Sequence, residues 1–151
     1  MVDTAAKAVT QRIAVAEALV VLPSETLEAV YGEHGDAIVS SKGPVGSVAS
    51  LAGIQGAKAT STLIPLCHPI SLSSVDVDVA AHTEGVLVTC TARAADRTGV
   101  EMEALTGASV AALTVIDMCK GAPGGKGTEV RHVRLVRKEG GKSGTWVRPS
   151  E

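Results

Sequence analysis

The chain has 151 residues, a formal net charge of −2 and an apolar fraction of 45%, so it can bury one hydrophobic core and is predicted to be a single domain, residues 1–151. Its only aromatic residues are one tyrosine and one tryptophan, and its charge is slightly acidic, which together argue against nucleic-acid binding. The lack of a signal-peptide pattern and of an apolar run long enough to cross a bilayer predicts a cytoplasmic protein with no membrane contact.

The first part of the chain is predicted to contain a strand followed by a short helix. Alternating side chains from Ile13 predict a strand within residues 11–22. Ser24 is a favoured N-cap residue for a helix that ends at Tyr31. The next segment, residues 32–41, clusters glycine, histidine and aspartate and is predicted to be a loop.

A second helix is predicted between Pro44 and Pro65, because proline is tolerated at a helix start but cannot continue a helix. Gly46, Gly53 and Gly56 are unfavourable in a helix unless another element packs closely against them. The apolar side of this helix is predicted to carry Val48, Leu51, Ala52 and Ile54.

A β-hairpin is predicted in the middle of the chain. Residues 74–79 alternate strictly, which predicts a strand with valines inward and Ser74, Asp76 and Asp78 outward. A turn at residues 83–85 precedes an apolar segment at residues 86–92, which is predicted to be the returning strand.

The longest element is predicted to be a helix over residues 98–121. Thr98 and Glu101 have the spacing of a capping box. Gly121 suits the left-handed residue that ends many helices. One stripe of side chains recurs at intervals of three and four residues and is predicted to face the core: Met102, Leu105, Ser109, Ala112, Leu113 and Ile116.

A glycine-rich loop at residues 121–127, a last strand at residues 129–136 and a mobile polar tail from Lys138 are predicted to complete the chain. The order of strand, helices, strand, strand, helix and strand predicts an α+β fold. Its architecture is predicted to be a ferredoxin-like split βαβ sandwich, in which an antiparallel sheet packs against helices.

Both ends of the long helix carry candidate functional residues. Asp117 lies in the last turn, where the helix dipole disfavours a carboxylate, and Lys120 is within reach, so a surface ion pair is the ordinary interpretation. Glu103 lies 14 residues before Asp117, about 21 Å at about 1.5 Å per residue, which is too far for one small-molecule site within one helix. The two ends either serve separate sites or meet across two subunits packed antiparallel, and we predict the second arrangement.

Cysteine and histidine residues give a further candidate site. Cys67 and His68 lie between two prolines, which make residues 63–69 extended and stiff. The alternative is a structural histidine beside a small core cysteine. Three cysteines without CxxC spacing predict reduced thiols and neither a disulfide framework nor a zinc site: Cys67, Cys90 and Cys119.

Lysine and glycine occur together at residues 124–128 and 140–144, without the spacing of a P-loop. Flexible segments of this kind can bind phosphate oxygens through backbone and ammonium donors. Lys42, taken alone, is interpreted as a solvated lysine. Together with His68, Asp117 and the two early carboxylates of the long helix, five lysines predict a cationic pocket for a phosphorylated small molecule: Lys42, Lys120, Lys126, Lys138 and Lys142.

Five segments resemble the signature blocks of the cyclic pyranopterin monophosphate synthase family of molybdenum cofactor biosynthesis. They are residues 63–69, 98–106, 109–114, 117–120 and 140–144. The resemblance implies a ferredoxin-like subunit and a homohexamer, a trimer of dimers with active sites at the dimer interface. It also implies a lyase that converts a cyclised GTP, (8S)-3′,8-cyclo-7,8-dihydroguanosine 5′-triphosphate, into cyclic pyranopterin monophosphate and pyrophosphate.

By this resemblance, Asp117 and Lys120 perform general acid–base chemistry, and His68 and Lys42 belong to the same catalytic set. The resemblance further implies a set of substrate-binding residues: Leu66, Cys67, His68, Glu101, Met102, Glu103 and Lys138. It implies no cofactor. No carboxylate cluster predicts a metal site, although a Mg²⁺ ion beside the triphosphate is compatible with the sequence.

Three positions depart from the family pattern, Val15, Pro44 and Ser50. We expect the charge lost at these positions to affect substrate affinity more than chemistry. Two other functions stay open from the sequence. One is a non-catalytic ferredoxin-like module that binds a nucleotide or pterin, and the other is a structural oligomer subunit without a ligand.

Overall fold

The computed structural model describes residues 1–31 and 37–149. In chain order its elements are β1 (Thr10–Val21), α1 (Ser24–Tyr31), β2 (Val39–Ser40), β3 (Gly43–Pro44), α2 (Val45–Lys58), α3 (Thr60–Leu63), β4 (Leu72–His82), β5 (Gly85–Asp96), α4 (Glu101–Cys119), β6 (Glu129–Glu139) and β7 (Trp146–Val147). Five strands form an antiparallel sheet in the order β4-β5-β1-β6-β7, and β2 and β3 form a separate ribbon. This strand order, with helices packed on the sheet, confirms the predicted α+β ferredoxin-like fold.

Small side chains form the core between the sheet and the helices. On β1 every second residue is a fully buried alanine, namely Ala14, Ala16 and Ala18. The facing row of α4 is also made largely of alanine, including Ala104 and Ala108, both fully buried. Because these side chains are short, α4 lies close to the sheet, and added volume has little room.

Glycines bring α2 and α4 into close contact. A Cβ at Gly53 would lie 3.0 Å from the carbonyl oxygen of Gly107, and a Cβ at Gly56 would lie 2.7 Å from the Cβ of Val110. Another element therefore packs closely against Gly53 and Gly56, as their presence in a helix requires, but not against Gly46. The predicted apolar side of α2 is wrong, however, because Leu51 is 64% exposed. The buried residues are instead Val45, Ala49, Gly53, Gly56 and Ala57.

The buried side of α4 also differs from the predicted stripe. Ala112 is buried as expected, and Leu105 and Ile116 are partly buried against the core. Met102 and Leu113 are 38% and 60% exposed. The hydrophobic pattern favoured the larger side chains, whereas close packing selects alanines for the buried face. The predicted residues therefore recur along one side of α4, but Met102 and Leu113 on that side are exposed and do not pack in the chain's own core.

The predicted caps of α4 are wrong at both ends. The N-cap position is Val100, without a side-chain capping hydrogen bond, and Asp96 accepts a hydrogen bond from the Thr98 backbone nitrogen at 3.3 Å. At the other end the C-cap residue is Lys120 in a right-handed helical conformation. The left-handed glycine occurs later, at Gly124, where φ is 68°.

The remaining boundaries mostly follow the predictions. The hairpin of β4 and β5 is confirmed, with Asp76 and Asp78 exposed. The first helix is confirmed, although the Pro23 carbonyl accepts its first hydrogen bonds, at 2.9 Å, so Ser24 is not the N-cap. The predicted loop at residues 32–41 lies partly outside the described residues, and β2 occupies part of the rest.

The described part of the C-terminal tail is not a free segment. The last long strand, β6, extends to Glu139, and β7 pairs with Arg137 and Lys138. The backbone nitrogen of Arg148 also donates to the Val136 carbonyl oxygen at 2.8 Å. These backbone hydrogen bonds place Lys138 inside a paired strand, and the mobility of the tail stays a prediction.

In the part of the chain that the structure describes, one helix, α4, has the length and composition that could cross a membrane, contrary to the expectation from the sequence. More than half of it is buried against the sheet and α2. We therefore interpret α4 as the core helix of a soluble protein.

We expect Gly56→Ala to lower the free energy of unfolding by about 1 kcal/mol or more. The new methyl group would collide with Val110, and overpacking of this kind typically costs about 1–3 kcal/mol, more than alanine gains over glycine in helix propensity. Urea unfolding followed by circular dichroism measures the change. Gly46→Ala is the matched control, since its Cβ would meet only the Val79 carbonyl oxygen at 4.0 Å. That variant should be as stable as the wild type or more so, and equal stability of Gly56→Ala would contradict the close contact.

Candidate functional site

The C-terminal end of α4 carries the lysine–aspartate cluster, formed by Lys42, Asp117 and Lys120. The Nζ atoms of Lys42 and Lys120 lie 2.6 Å and 2.7 Å from different carboxylate oxygens of Asp117. Lys42 also donates a hydrogen bond to the Asp117 backbone carbonyl oxygen at 2.9 Å. The predicted ion pair of Asp117 and Lys120 is thus present, and the structure adds a third residue from 75 positions earlier.

The ribbon of β2 and β3 positions Lys42. Its two strands pair Val39 with Pro44 and Ser40 with Gly43, which places Lys42 in the turn between them. Gly43 has a φ of 107°, a backbone conformation that favours glycine. A tight turn at this point therefore directs the lysine side chain towards the end of α4.

The two lysines hold Asp117 in its ionised form. Hydrogen bonds from Lys120 and Lys42 lower the pKa of the Asp117 carboxyl group to about 2. All three side chains are about half exposed, so solvent screens their mutual attraction. At neutral pH the cluster consists of one carboxylate between two ammonium groups, and each ammonium group can donate a proton to a bound molecule.

The N-terminal end of α4 forms a separate cavity of about 460 Å³, which we call the α4 N-terminal cavity. Its walls include six of the predicted site residues: Leu66, Cys67, His68, Glu101, Met102 and Glu103. Residues 63–69 are not fully extended as predicted. The Cys67 backbone nitrogen donates to the Ile64 carbonyl oxygen at 3.1 Å, and this hydrogen bond closes a turn. This turn carries Cys67 and His68 to the first turn of α4.

The two carboxyl groups in this cavity have different surroundings. Glu103 is only 4% exposed. Burial raises the pKa of its carboxyl group, a hydrogen bond from its own backbone opposes the shift, and the carboxylates of Glu101 and Asp96 add to it. Glu101 has a cationic neighbour, since Lys138 Nζ lies 3.9 Å from its carboxylate. Burial, and then Glu103, raise the pKa of the Cys67 thiol, which favours a neutral thiol over a thiolate nucleophile.

A single chain does not bring all the predicted residues together. The cavity residues and Lys138 lie at one end of α4, and the lysine–aspartate cluster lies at the other, about 21 Å away along the helix axis. Lys126 belongs neither to the lining of the α4 N-terminal cavity nor to the lysine–aspartate cluster. Among residues 1–31 and 37–149, no three or more histidine, cysteine, aspartate or glutamate side chains cluster in a way that could hold a metal ion.

A second cavity, which no sequence motif indicated, lies beside the first. It has a volume of about 720 Å³ and contains basic residues that no motif indicated, namely Lys7, Arg12 and Arg97. The feature that could have indicated this cavity is the pairing of β1 with β5, which brings Thr10 opposite Asp96. Had this register been inferred from the predicted topology, it would have placed the start of β1 beside the turn after β5.

Two of the three departures from the family pattern lie away from both cavities. Val15 faces the side of the sheet opposite the buried alanines of β1, and the Ser50 hydroxyl donates to the Val77 carbonyl oxygen at 2.7 Å. Neither residue lines a cavity described above, and their effect on substrate affinity stays a prediction. Pro44 belongs to β3, and Lys42 still reaches Asp117.

We expect Asp117 to remain ionised far below pH 4 and Lys42→Met or Lys120→Met to raise the pKa of its carboxyl group. The folded-state pKa is depressed, so the stabilisation from these contacts is complete above the unfolded-state pKa and is lost as the pH falls through about 2. Carbon-13 NMR titration of the Asp117 carboxyl group measures the shift. Lys126→Met is the control, because it removes a lysine that does not contact Asp117. An unshifted wild-type titration would contradict the geometry.

Comparison with known proteins gives consistent matches along nearly the whole chain. Residues 1–141 match the MoaC family. The chain is 48% identical over 151 residues to the cyclic pyranopterin monophosphate synthase of Streptomyces coelicolor, covering 98% of this chain and 83% of that protein. It is 49% identical over 146 residues to the protein of the same name from Novosphingobium aromaticivorans, covering 97% of this chain and 88% of the relative. The family match over residues 1–141 and these two relatives show that the chain belongs to the MoaC family.

Proposed function

We propose that the chain is a cyclic pyranopterin monophosphate synthase, a lyase of molybdenum cofactor biosynthesis. Two observations support this function: the chain belongs to this family, and two relatives of that name are nearly half identical to it over almost the full length of this chain. The substrate is (8S)-3′,8-cyclo-7,8-dihydroguanosine 5′-triphosphate, and the products are cyclic pyranopterin monophosphate and pyrophosphate. We place the enzyme in the cytoplasm.

The observation that carries the mechanism is the separation of the two clusters along α4. Each cluster supplies part of what the reaction needs, and about 21 Å of helix lies between them. A second copy of the chain, packed antiparallel, would bring the lysine–aspartate cluster of one copy to the α4 N-terminal cavity of the other. The complete site then contains residues from two chains.

The exposed stripe of α4 supports this packing. Met102, Leu105, Ser109 and Leu113 recur at intervals of three and four residues, and the chain's own core leaves Met102 and Leu113 substantially exposed. Val133 on β6 is also 37% exposed. An apolar surface of this kind on a helix is typical of an interface.

The positions along the stripe fit a two-fold axis near the middle of α4. The midpoint between Met102 and Asp117 falls between Ser109 and Val110. The Ser109 hydroxyl already donates to the Leu105 carbonyl oxygen at 2.8 Å, so a small side chain with a satisfied donor lies at the crossing point. Two copies related by this axis would place Asp117 of one next to Met102 of the other. The trimer of such dimers implied by the family is the assembly that we propose.

In the complete site, proton transfer comes from both halves. Rebuilding the purine ring as a pterin requires protons to be added and removed at several atoms, and Lys42 and Lys120 can donate and recover them while the Asp117 carboxylate holds their ammonium groups in place. In the other half, the buried carboxyl group of Glu103 and the imidazole of His68 supply a second acid and base. Leu66 and Met102 provide an apolar surface for the ring system.

A non-catalytic binding module is not favoured by the structure. Two features of the sequence support it, namely Pro44, beside the proposed catalytic lysine, and the glycine-rich loop after Lys120. In the structure Pro44 pairs within the ribbon and Lys42 contacts Asp117, so the substitution leaves the cluster assembled.

We expect His68→Ala and Lys120→Ala to lose activity separately and to regain it when mixed. Loss of one general acid or base typically costs about 10²–10⁴-fold in rate. If each site combines two chains, refolding an equal mixture gives heterodimers with one intact site, and about a quarter of the wild-type activity should return. Pyrophosphate release and pterin formation from the enzymatically prepared substrate are the measurements.

The control for this experiment is a mixture of Lys42→Ala with Lys120→Ala. Both changes affect the same half of the site, so their heterodimers contain no intact site and should stay inactive. An inactive His68→Ala and Lys120→Ala mixture, with heterodimers present, would refute the shared site. Lack of product from the wild-type chain would refute the synthase itself.

We expect Leu113→Glu to dissociate the dimer and to lower activity at least tenfold. The new carboxylate would enter an apolar interface, and the cost of burying a charge there opposes association. Sedimentation velocity measures the assembly, and circular dichroism confirms that the subunit stays folded. Leu51→Glu is the matched control, since Leu51 is equally exposed but lies on α2. Retention of full activity and assembly by Leu113→Glu would rule out α4 as the interface.

A further inference from the structure

A buried hydroxyl group joins the start of α1 to the loop that follows α4. Thr26 is fully buried, and its hydroxyl donates to the Pro123 carbonyl oxygen at 2.7 Å. The hydroxyls of Thr60, Thr62 and Thr114 donate instead to carbonyls only three or four residues earlier in the chain. Local bonds of that kind satisfy a hydroxyl without joining separate elements. The Thr26 bond spans 97 positions, so it connects two elements that are distant in sequence.

The loop at residues 121–125 folds back on the backbone of Lys120. The Ala122 backbone nitrogen donates to the Cys119 carbonyl oxygen, and the Gly125 backbone nitrogen donates to the Ala122 carbonyl oxygen, both at 2.9 Å. A Cβ at Gly125 would collide with the Cys119 carbonyl oxygen. Because the loop is this compact, holding one of its carbonyl groups in place also holds the backbone of Lys120.

A second contact between α1 and this loop lies at Gly124. Its φ is 68°, and a Cβ there would lie 3.3 Å from the Thr26 hydroxyl oxygen and 3.4 Å from the Cβ of Pro23. Glycine adopts this backbone conformation without strain and has no side chain to fill the space. The loop can therefore approach α1 closely enough for the Thr26 hydrogen bond to form.

The same helix also lies beside the ribbon that carries Lys42. Residues 29–30 of α1, residues 39–41 and residues 121–123 line a cavity of about 390 Å³. The two segments that supply the lysines of the lysine–aspartate cluster therefore both face α1, with open space between them. Pro123 lines this cavity and accepts the Thr26 hydrogen bond. Where packing leaves such a space, a hydrogen bond contributes more to the position of the loop.

The position of Lys120 depends on its backbone because its side chain is largely in solvent. The side chains of Lys120 and Asp117 are 57% and 53% exposed, so their neighbours restrict them little. Their ion pair nevertheless requires the Lys120 Nζ atom to lie 2.7 Å from the carboxylate. A misplacement of about 1 Å can cost an enzyme about 100-fold in rate. Displacement of this loop would therefore affect proton transfer by the cluster.

We propose that Thr26 is a positioning residue for the lysine–aspartate cluster, because its hydrogen bond to Pro123 fixes the loop that determines where Lys120 lies. This role rests on the proposed function, since it concerns the reaction that the cluster serves. Thr26 acts through the loop and not by contact with the substrate. Its hydroxyl is the group that matters, so serine should replace it, whereas valine, which has nearly the same shape but no hydroxyl, should not.

Kinetics and NMR of Thr26→Val test the proposal. We expect kcat to fall about tenfold while KM changes less than about twofold, because the displaced group transfers protons and does not bind the substrate in the ground state. The pKa of the Asp117 carboxyl group, which the hydrogen bond from Lys120 lowers most, should rise in a carbon-13 NMR titration. Thr26→Ser keeps the hydroxyl and should retain the wild-type kcat and the wild-type titration of Asp117.

Tyr31→Phe is the matched control. It removes another hydroxyl of α1, which donates to the distant carbonyl oxygen of Gly85, also at 2.7 Å. This bond ends at the start of β5, so its loss should leave kcat and the Asp117 titration unchanged. An equal fall of kcat in Tyr31→Phe and Thr26→Val would overturn the proposal, because any weakening of α1 would then suffice. Wild-type kcat and titration in a folded Thr26→Val would overturn it as well.

Gly124→Ala tests the same contact if circular dichroism shows that Thr26→Val does not fold. The added methyl group should push the loop away from Thr26, lower kcat and raise the pKa of the Asp117 carboxyl group. Gly121→Ala should do neither, since its Cβ would have no neighbouring atom of the described residues within 4 Å. Unchanged kcat and titration in Gly124→Ala would count against the role of the loop.

The two readouts separate this proposal from the proposed function. If the wild type forms no pterin, the synthase fails, and the Asp117 titrations alone decide whether Thr26 positions the cluster. If pterin forms and neither Thr26→Val nor Gly124→Ala alters kcat or the titration, the positioning role alone fails.

Discussion

The close contact of α2 and α4 determines where both clusters lie. The two helices run in opposite directions, and missing side chains at Gly53, Gly56 and Gly107 let them touch along their middles. The ribbon that precedes α2 therefore delivers Lys42 to the C-terminal end of α4. The segment that follows α2 and α3 delivers Cys67 and His68 to its N-terminal end. One helix pair thus sets the distance between the two halves of the proposed site.

The two halves differ in how they control protonation. At the lysine–aspartate cluster, exposed cations keep a carboxylate ionised by direct contact. In the α4 N-terminal cavity, burial and neighbouring carboxylates favour the neutral form of Glu103. A reaction that needs protons to be given at some atoms and taken at others is served by carboxyl groups whose pKa values are shifted in opposite directions. The proposed dimer would bring these two environments together.

The fold could be inferred from the sequence because strands and helices differ in period. Alternation identified the β4 and β5 hairpin, and spacing of three and four residues identified α4. The buried faces could not be inferred, because the pattern gave weight to Leu51 and Leu113, while close packing buries alanines and glycines. For the site, short motifs indicated Asp117, Lys120 and His68. The contact of Lys42 with Asp117 and the place of Arg12 depend on pairing between distant segments, which no local pattern contains.

The glycine contact also limits how this chain can vary. A side chain added at Gly53 or Gly56 would separate α2 from α4 and displace Lys42 and His68 together, in opposite halves of the site. In a shared-site dimer, one such change would alter every active site through both of its components. We therefore expect α2 to tolerate substitutions mainly on its exposed side, which includes Leu51. Side chains on that side do not determine the distance between α2 and α4.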